Sequence, residues 1–178
     1  MAAFRCSVGT RLEWRQPDAF RRFHELMLDG EAQASLRFEK GCGTLATAEF
    51  GSSQWTFKRA GFWKPRITVR QAGSGADLAV FTPRLTGGGE LVFTDGTRFQ
   101  LESASFWSGE WAFETADGRE VVRVHGPHGA LGSRGEASLG LPATAVPETP
   151  LLLMLIWYLI LLMKDDAGTA AIIAVCCG

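Results

Sequence analysis

Hydrophobic and polar residues alternate one by one along much of the chain between positions 20 and 142. In the run QWTFKRA, Trp55 and Phe57 are separated by Thr56 and followed by Lys58. Successive side chains of a β-strand point to opposite faces, so this alternation predicts a strand with one buried and one solvated face. The same pattern recurs at Ile67 and Val69, Leu91 and Phe93, Phe99 and Leu101, and Trp111 and Phe113.

Short polar segments rich in Gly and Asp separate these runs about every 8 to 12 residues. The Asp-Gly pairs at positions 29–30, 95–96 and 117–118 favour the left-handed backbone conformations that a tight hairpin requires. About twelve candidate strands result, including two weaker ones between Ala130 and Leu141. The pattern predicts an all-β, largely antiparallel sheet, arranged as a sandwich or a barrel.

A continuous apolar segment, Leu151 to Met163, follows the proline-rich linker PATAVPETP at residues 142–150. A helix of these residues is about 20 Å long, well short of the ~30 Å hydrocarbon core of a bilayer. It is apolar on every side, Trp157 and Tyr158 included, so something other than water must surround it. A closed barrel of roughly eleven or more strands can hold a central helix. We therefore expect a closed antiparallel barrel of about twelve strands that encloses a helix over about residues 150–163.

This architecture resembles the tubby C-terminal-like superfamily, which also contains the phospholipid scramblases and the plant LURP-one-related proteins. The resemblance covers roughly residues 20–163 and rests on the strand count, the run WTFKRAGFWKPRITVR and the terminal LLLMLIWYLILLM. Residues 1–19 are then an N-terminal extension or a first strand, and residues 164–178 form a tail beyond the family pattern. Tubby domains bind phosphoinositides through basic residues on the barrel surface, so the resemblance implies a lipid-binding protein.

The most uneven charge distribution lies in residues 51–76, which contain five basic residues and no Asp or Glu. Two aromatic residues stand between the bases, in a segment that reads as a loop tip. Such a patch can hold the phosphates of anionic lipids while the aromatic rings enter the membrane interface. The candidate lipid-binding residues are Lys58, Arg59, Phe62, Trp63, Lys64, Arg66 and Arg70. The plain alternative is a solvated outer face of the barrel.

The composition narrows the class of protein. The 178 residues are 46% hydrophobic and 21% charged, with a formal net charge of -1, which is typical of a folded globular chain and not of a disordered one. Aromatic and basic residues together also suit single-stranded nucleic acid, but the net charge argues against that partner. The first twenty residues lack the apolar core of a signal peptide, and the four cysteines form no C-x-x-C pair. We expect a cytoplasmic protein, with peripheral attachment to the inner membrane face as an option.

The sequence contains no constellation that predicts catalysis or metal binding. It has no G-x-S-x-G elbow, and His125-Gly-Pro-His128 reads as a turn. We therefore expect a protein without enzymatic activity, cofactor or metal, whose protein partners the sequence does not identify. Two other interpretations stay open: a tail-anchored protein with residues 150–175 in the bilayer, which the charges at 164–166 disfavour, and a barrel that binds an apolar small molecule.

Overall fold

The computed structural model describes residues 6, 8–41, 43–61, 64–85, 87–105, 109–128, 133–142 and 144–176, with side chains except at 104, 105, 128 and 168–176. Within these residues the chain forms twelve strands and one helix. The strands are β1 (Arg11–Arg15), β2 (Phe23–Leu28), β3 (Glu31–Phe38), β4 (Ala46–Phe50), β5 (Ser53–Ala60), β6 (Arg66–Gln71), β7 (Ala79–Pro83), β8 (Gly89–Phe93), β9 (Arg98–Ser105), β10 (Glu110–Thr115), β11 (Glu120–His128) and β12 (Arg134–Leu139). The helix, α1, spans Thr149–Cys176.

Every strand pairs antiparallel with its neighbours in sequence, and β1 closes the sheet by pairing with β12. In this closing pair Leu12 lies opposite Ala137 and Trp14 lies opposite Gly135. A closed sheet has no unpaired edge, so each strand finds a backbone partner on both sides. The predicted closed antiparallel barrel of about twelve strands around a hydrophobic C-terminal helix is confirmed.

One of the twelve strands is not where the alternation places it. Between positions 130 and 141 the described residues form a single strand, β12, where the pattern predicts two weak ones. The count is completed by β1, which lies in the segment read as an extension or first strand. Leu12 and Trp14 are buried there and the residues beside them are exposed. The alternation of β1 covers only five residues, which makes its signal weak.

The inner face of the strands and the first half of α1 form one continuous apolar core. Residues 151–162 of α1 are all buried, none more than 6% exposed. The surrounding wall includes Leu36, Phe57, Leu91 and Phe113, which are completely buried. At about 25 cal/mol for each Å² removed from water, this burial is the main favourable term in folding. Protein encloses residues 151–162 of α1, whereas the tail-anchored interpretation requires lipid around them and the small-molecule interpretation requires the helix to move aside.

Helix α1 continues well past the predicted residues 150–163. It has 28 residues and reaches Cys176, so the charges at positions 164–166 do not end it. At 1.5 Å per residue its length is about 42 Å. Among the described residues, no helix combines the length and the apolarity that crossing a membrane requires.

The segment His125–His128 is part of a strand and not the predicted turn. It forms the end of β11, where the register against β12 shifts between the two histidines. Proline has no N–H to give to a sheet, so Pro127 is accommodated at an irregularity of the ladder. The Gly-Pro pair therefore bends a strand instead of reversing the chain.

Candidate functional site

The strand directions place the loops at two opposite ends of the barrel. Helix α1 begins at one end, after the linker 140–148, and leaves the barrel at the other. We call these the linker end and the exit end. The exit end consists of loops 16–22, 39–45, 61–65, 84–88, 106–109 and 129–133, and the linker end of segments 29–30, 51–52, 72–78, 94–97, 116–119 and 140–148.

The two ends carry opposite formal charge. The exit-end loops contain five basic and two acidic residues: Arg21, Arg22, Lys40, Lys64 and Arg84 against Asp18 and Glu39. The linker-end segments contain five acidic residues and one basic residue: Asp29, Asp77, Asp95, Asp117 and Glu148 against Arg119. Lys164, Asp165 and Asp166 of α1 also lie at the exit end, whose formal charge is then +2 against -4 at the linker end. The chain is nearly neutral overall but dipolar along the barrel axis. Such a dipole orients a protein in the field of a charged partner.

Three of the predicted lipid-binding bases lie together at the exit end. Lys58, Lys64 and Arg66 belong to the hairpin of β5 and β6, and all three are exposed. None of the three side chains forms an ion pair with another residue in the part of the chain that the structure describes. Phe62 and Trp63, which follow β5 in the sequence, lie outside the described residues.

The other two predicted bases are engaged with carboxylates. Arg59 donates a hydrogen bond from Nη1 to Asp166 Oδ2 at 2.6 Å, and this bond raises the pKa of the guanidinium above its ordinary value. Arg70 donates from Nε to Asp77 Oδ1 at 2.6 Å, towards the linker end. The structure therefore brings Lys58, Lys64 and Arg66 together, ties Arg59 to α1 and separates Arg70 from the rest.

A second basic cluster at the exit end has no counterpart among the sequence predictions. A groove of about 480 Å³ lies between loops 16–22 and 39–45. Four of its lining residues are basic, Arg21, Arg22, Arg37 and Lys40, and one is acidic, Glu39. The Arg22 guanidinium lies 3.8 Å from the centre of the Phe38 ring, in a cation–π contact. Three of these bases come from two loops that also contain Asp18 and Glu39, and Arg37 comes from β3, so no local run of charge reveals the groove.

Polar contacts tie α1 to the rim where it leaves the barrel, and we call this set the collar. Asp165 forms an ion pair with Arg22, and Asp166 forms one with Arg59. Lys164 donates from Nζ to Ser133 Oγ at 3.3 Å. One turn or more deeper, Tyr158 donates from Oη to the carbonyl of Thr44 at 2.5 Å, and burial raises the pKa of that phenol. The collar fixes how far α1 is inserted into the barrel.

Within the collar, Arg22 is expected to contribute more stability than its partner Asp165. Arg22 also donates to the carbonyls of Gly41 at 3.1 Å and Gly43 at 2.9 Å, whereas Asp165 is half exposed. Arg22→Ala should lower the free energy of unfolding by about 2 kcal/mol, because charged hydrogen bonds and a ring contact are lost. Asp165→Asn should cost less than about 1 kcal/mol, as for other exposed ion pairs. Urea unfolding of both variants measures the difference, and equal losses would contradict it.

Comparison with protein-family models, with curated proteins and with solved structures finds no match to this chain. A fold by itself does not determine a function, since function resides in a site placed on the fold. The functional interpretation therefore depends on the chemistry of the exit end. That chemistry consists of two basic clusters on one rim of a dipolar barrel.

Proposed function

We propose that this chain is a non-enzymatic, tubby-like barrel protein that attaches peripherally to anionic phospholipid surfaces through its exit end. The observation that carries the proposal is the group Lys58, Lys64 and Arg66, exposed side by side without an ionic partner among the described residues. The closed barrel around a C-terminal helix supports the tubby-like part of the proposal. Phosphoinositides, with several phosphates on one headgroup, are the lipid class that such a group of bases suits best.

The basic side chains of the exit end favour its binding to a negatively charged membrane surface. A Lys or Arg close to an anionic leaflet contributes about 1 kcal/mol, and the effect decays within a Debye length of roughly 8–10 Å. The acidic linker end is repelled by the same surface, so the barrel presents its exit end first. The cytoplasmic leaflet is the anionic one, which places the proposed site of action in the cytoplasm at the inner membrane face.

Charge reversal of the three exposed bases tests this proposal. We expect the triple variant Lys58→Glu, Lys64→Glu and Arg66→Glu to bind anionic vesicles at least about a hundredfold more weakly, because roughly 1 kcal/mol is lost for each base. Binding is measured by co-sedimentation with vesicles of phosphatidylcholine containing phosphatidylserine or a phosphoinositide, at low and at high salt. Wild-type binding should fall steeply as salt rises.

The matched control reverses the same number of charges at the opposite end of the barrel. The variant Arg11→Glu, Arg70→Glu and Arg119→Glu changes net charge equally and should bind about as well as the wild type. Equal loss in both triple variants would mean that overall charge and not the exit end controls binding. If the wild-type chain does not bind anionic vesicles at low salt, the proposal is overturned.

A further inference from the structure

Exposed apolar residues, like formal charge, are distributed unequally between the two ends of the barrel. Loops 16–22, 39–45 and 84–88 of the exit end each carry a large apolar side chain among the described residues. Phe20 is 99% exposed, Leu85 is fully exposed at 108%, and Leu45 is 39% exposed. The sequence of the other three exit-end loops also contains large apolar residues, at positions 62, 63, 106, 107 and 131, which lie outside the described residues.

At the linker end, Val8, which precedes β1 and is 59% exposed, is the one exposed large apolar residue among those that the structure describes. The linker-end turns at 29–30, 51–52, 94–97 and 116–119 contain only small or polar residues. The larger apolar residues of the other two linker-end segments are Leu78, Leu141 and Val146, and all three are buried or pack against the core. Three of the four exposed large apolar residues that the structure describes therefore lie at the exit end, and none lies in the turns between strands at the linker end.

Two of the three exposed apolar residues are adjacent in sequence to basic residues. Phe20 precedes Arg21 and Arg22, and Leu85 follows Arg84. At a membrane interface this is the complementary arrangement, because apolar side chains enter the acyl boundary while neighbouring bases stay at headgroup level. Helix α1 also continues past the collar for the ten residues 167–176, a distance of about 15 Å, with the composition AGTAAIIAVC.

We infer that the barrel docks end-on, with the exit end facing an anionic bilayer and with Phe20, Leu45 and Leu85 entering its interface. This inference rests on the proposed function and adds the orientation and the depth of contact. End-on docking brings the β5–β6 bases and the groove bases Arg21 and Lys40 to the headgroups at the same time. Docking through the outer face of β5 and β6 would bring only the β5–β6 bases to the headgroups and would leave Phe20 and Leu85 in water.

A lipid surface fits the exit end better than a second copy of the chain. Two exit ends facing each other would bring together two rims with an excess of positive charge, which opposes association. The acidic linker end of another copy would satisfy the bases, but among its described residues only Val8 offers a large exposed apolar side chain to cover Phe20 and Leu85. An anionic bilayer supplies both the negative charge and the apolar layer beneath it.

Hydrogen exchange of the full chain tests the orientation without any label. On addition of phosphatidylcholine–phosphatidylserine vesicles, amide exchange should slow in loops 16–22 and 84–88 and stay unchanged in turns 94–97 and 116–119. Protection confined to β5 and β6 would overturn end-on docking while leaving the proposed function intact. Protection of the exit-end loops without vesicles, together with a dimer in sedimentation analysis, would identify a second copy as the occupant and would also overturn the inference.

Vesicle partitioning of an apolar-loop variant provides the second test. The double variant Phe20→Ser and Leu85→Ser should partition onto these vesicles at least about tenfold more weakly, since two large side chains lose their burial. Val8→Ser is the control, because Val8 is 59% exposed but precedes β1 at the linker end, and it should partition like the wild type. If the double variant binds normally while the Lys58, Lys64 and Arg66 variant does not, the contact is purely electrostatic and the inference fails alone.

Discussion

Replacing Trp157 with alanine is expected to lower the free energy of unfolding by about 3–5 kcal/mol, the usual cost of truncating a buried Trp or Phe. Trp157 is completely buried in the first half of α1 and stacks on Trp14 of β1, with ring centres 5.2 Å apart and planes inclined by 2°. Since small domains have only about 5–15 kcal/mol of stability, the loss is a large fraction of the whole. Urea unfolding followed by circular dichroism measures it. A loss below about 1 kcal/mol would show that α1 does not depend on this contact.

Gly135 provides an independent check that Trp157 occupies the place described. A Cβ on Gly135 would lie 2.5 Å from Cζ3 of Trp157, too close for a non-bonded contact. Gly135→Ala should therefore destabilise the wild type by about 1–3 kcal/mol. It should cost less in the Trp157→Ala background, where the indole is gone and only the backbone oxygen of His125, 2.8 Å from that Cβ, is still too close. A double-mutant cycle should give a coupling of at least about 1 kcal/mol. Additive losses would place the indole elsewhere. Leu85→Ala, at a fully exposed position, controls for general effects and should stay within about 0.5 kcal/mol.

The barrel could be predicted because the sequence contains two strong patterns, the alternating strands and the apolar helix, and each provides the surface that the other must bury. Period-two alternation gives strands with one dry face, and a helix that is apolar on all sides must lie where those dry faces point. The first strand was predicted only as one of two alternatives for residues 1–19, because Leu12 and Trp14 alternate there with charged residues over only five positions. The full length of α1 was not predicted, because Lys164, Asp165 and Asp166 interrupt the apolar segment in the sequence. In the folded chain these residues stay helical, since Arg22 and Arg59 meet the two carboxylates at the rim.

The candidate site could be predicted only where it is local in sequence. Lys58, Lys64 and Arg66 stand within one hairpin, and their run without acids is visible in the chain itself. The groove and the dipole of the barrel arise from loops far apart in sequence, which only the strand order brings to one end. Arg59 and Arg70 were predicted as lipid-binding bases, but each is engaged with a carboxylate. Asp77, the partner of Arg70, lies just outside the acid-free run, and Asp166, the partner of Arg59, lies about a hundred residues away, so the sequence does not show that either base is paired.

Because α1 lies inside the barrel, it buries His24, and we expect this histidine to make the stability of the fold decrease at acidic pH. This residue of β2 is 3% exposed, packs edge-on against Trp157 at 6.0 Å, and its Nδ1 has no hydrogen-bond partner among the described residues. Burial first, and then the nearby positive charges of Arg22 and Lys164, together lower the pKa of His24 from 6.5 to about 4. The folded barrel therefore favours the neutral imidazole, whereas the unfolded chain accepts a proton at the ordinary pKa.

The sign of the effect follows from the direction of this shift. Above pH 6.5 the imidazole is neutral in both states and stability is at its full value. As pH falls from 6.5 towards 4, the unfolded state binds the proton more readily, and stability decreases by up to about 1.4 kcal/mol per pH unit, about 3 kcal/mol in total. Urea unfolding of the wild type and of His24→Leu across this range isolates the contribution, since the variant should lose that part of the slope. His125→Gln is the matched control and should keep it, because His24 is still present. A His24→Leu variant with the wild-type pH slope would mean that other groups cause the acid sensitivity and that His24 is not buried as a neutral base against Trp157.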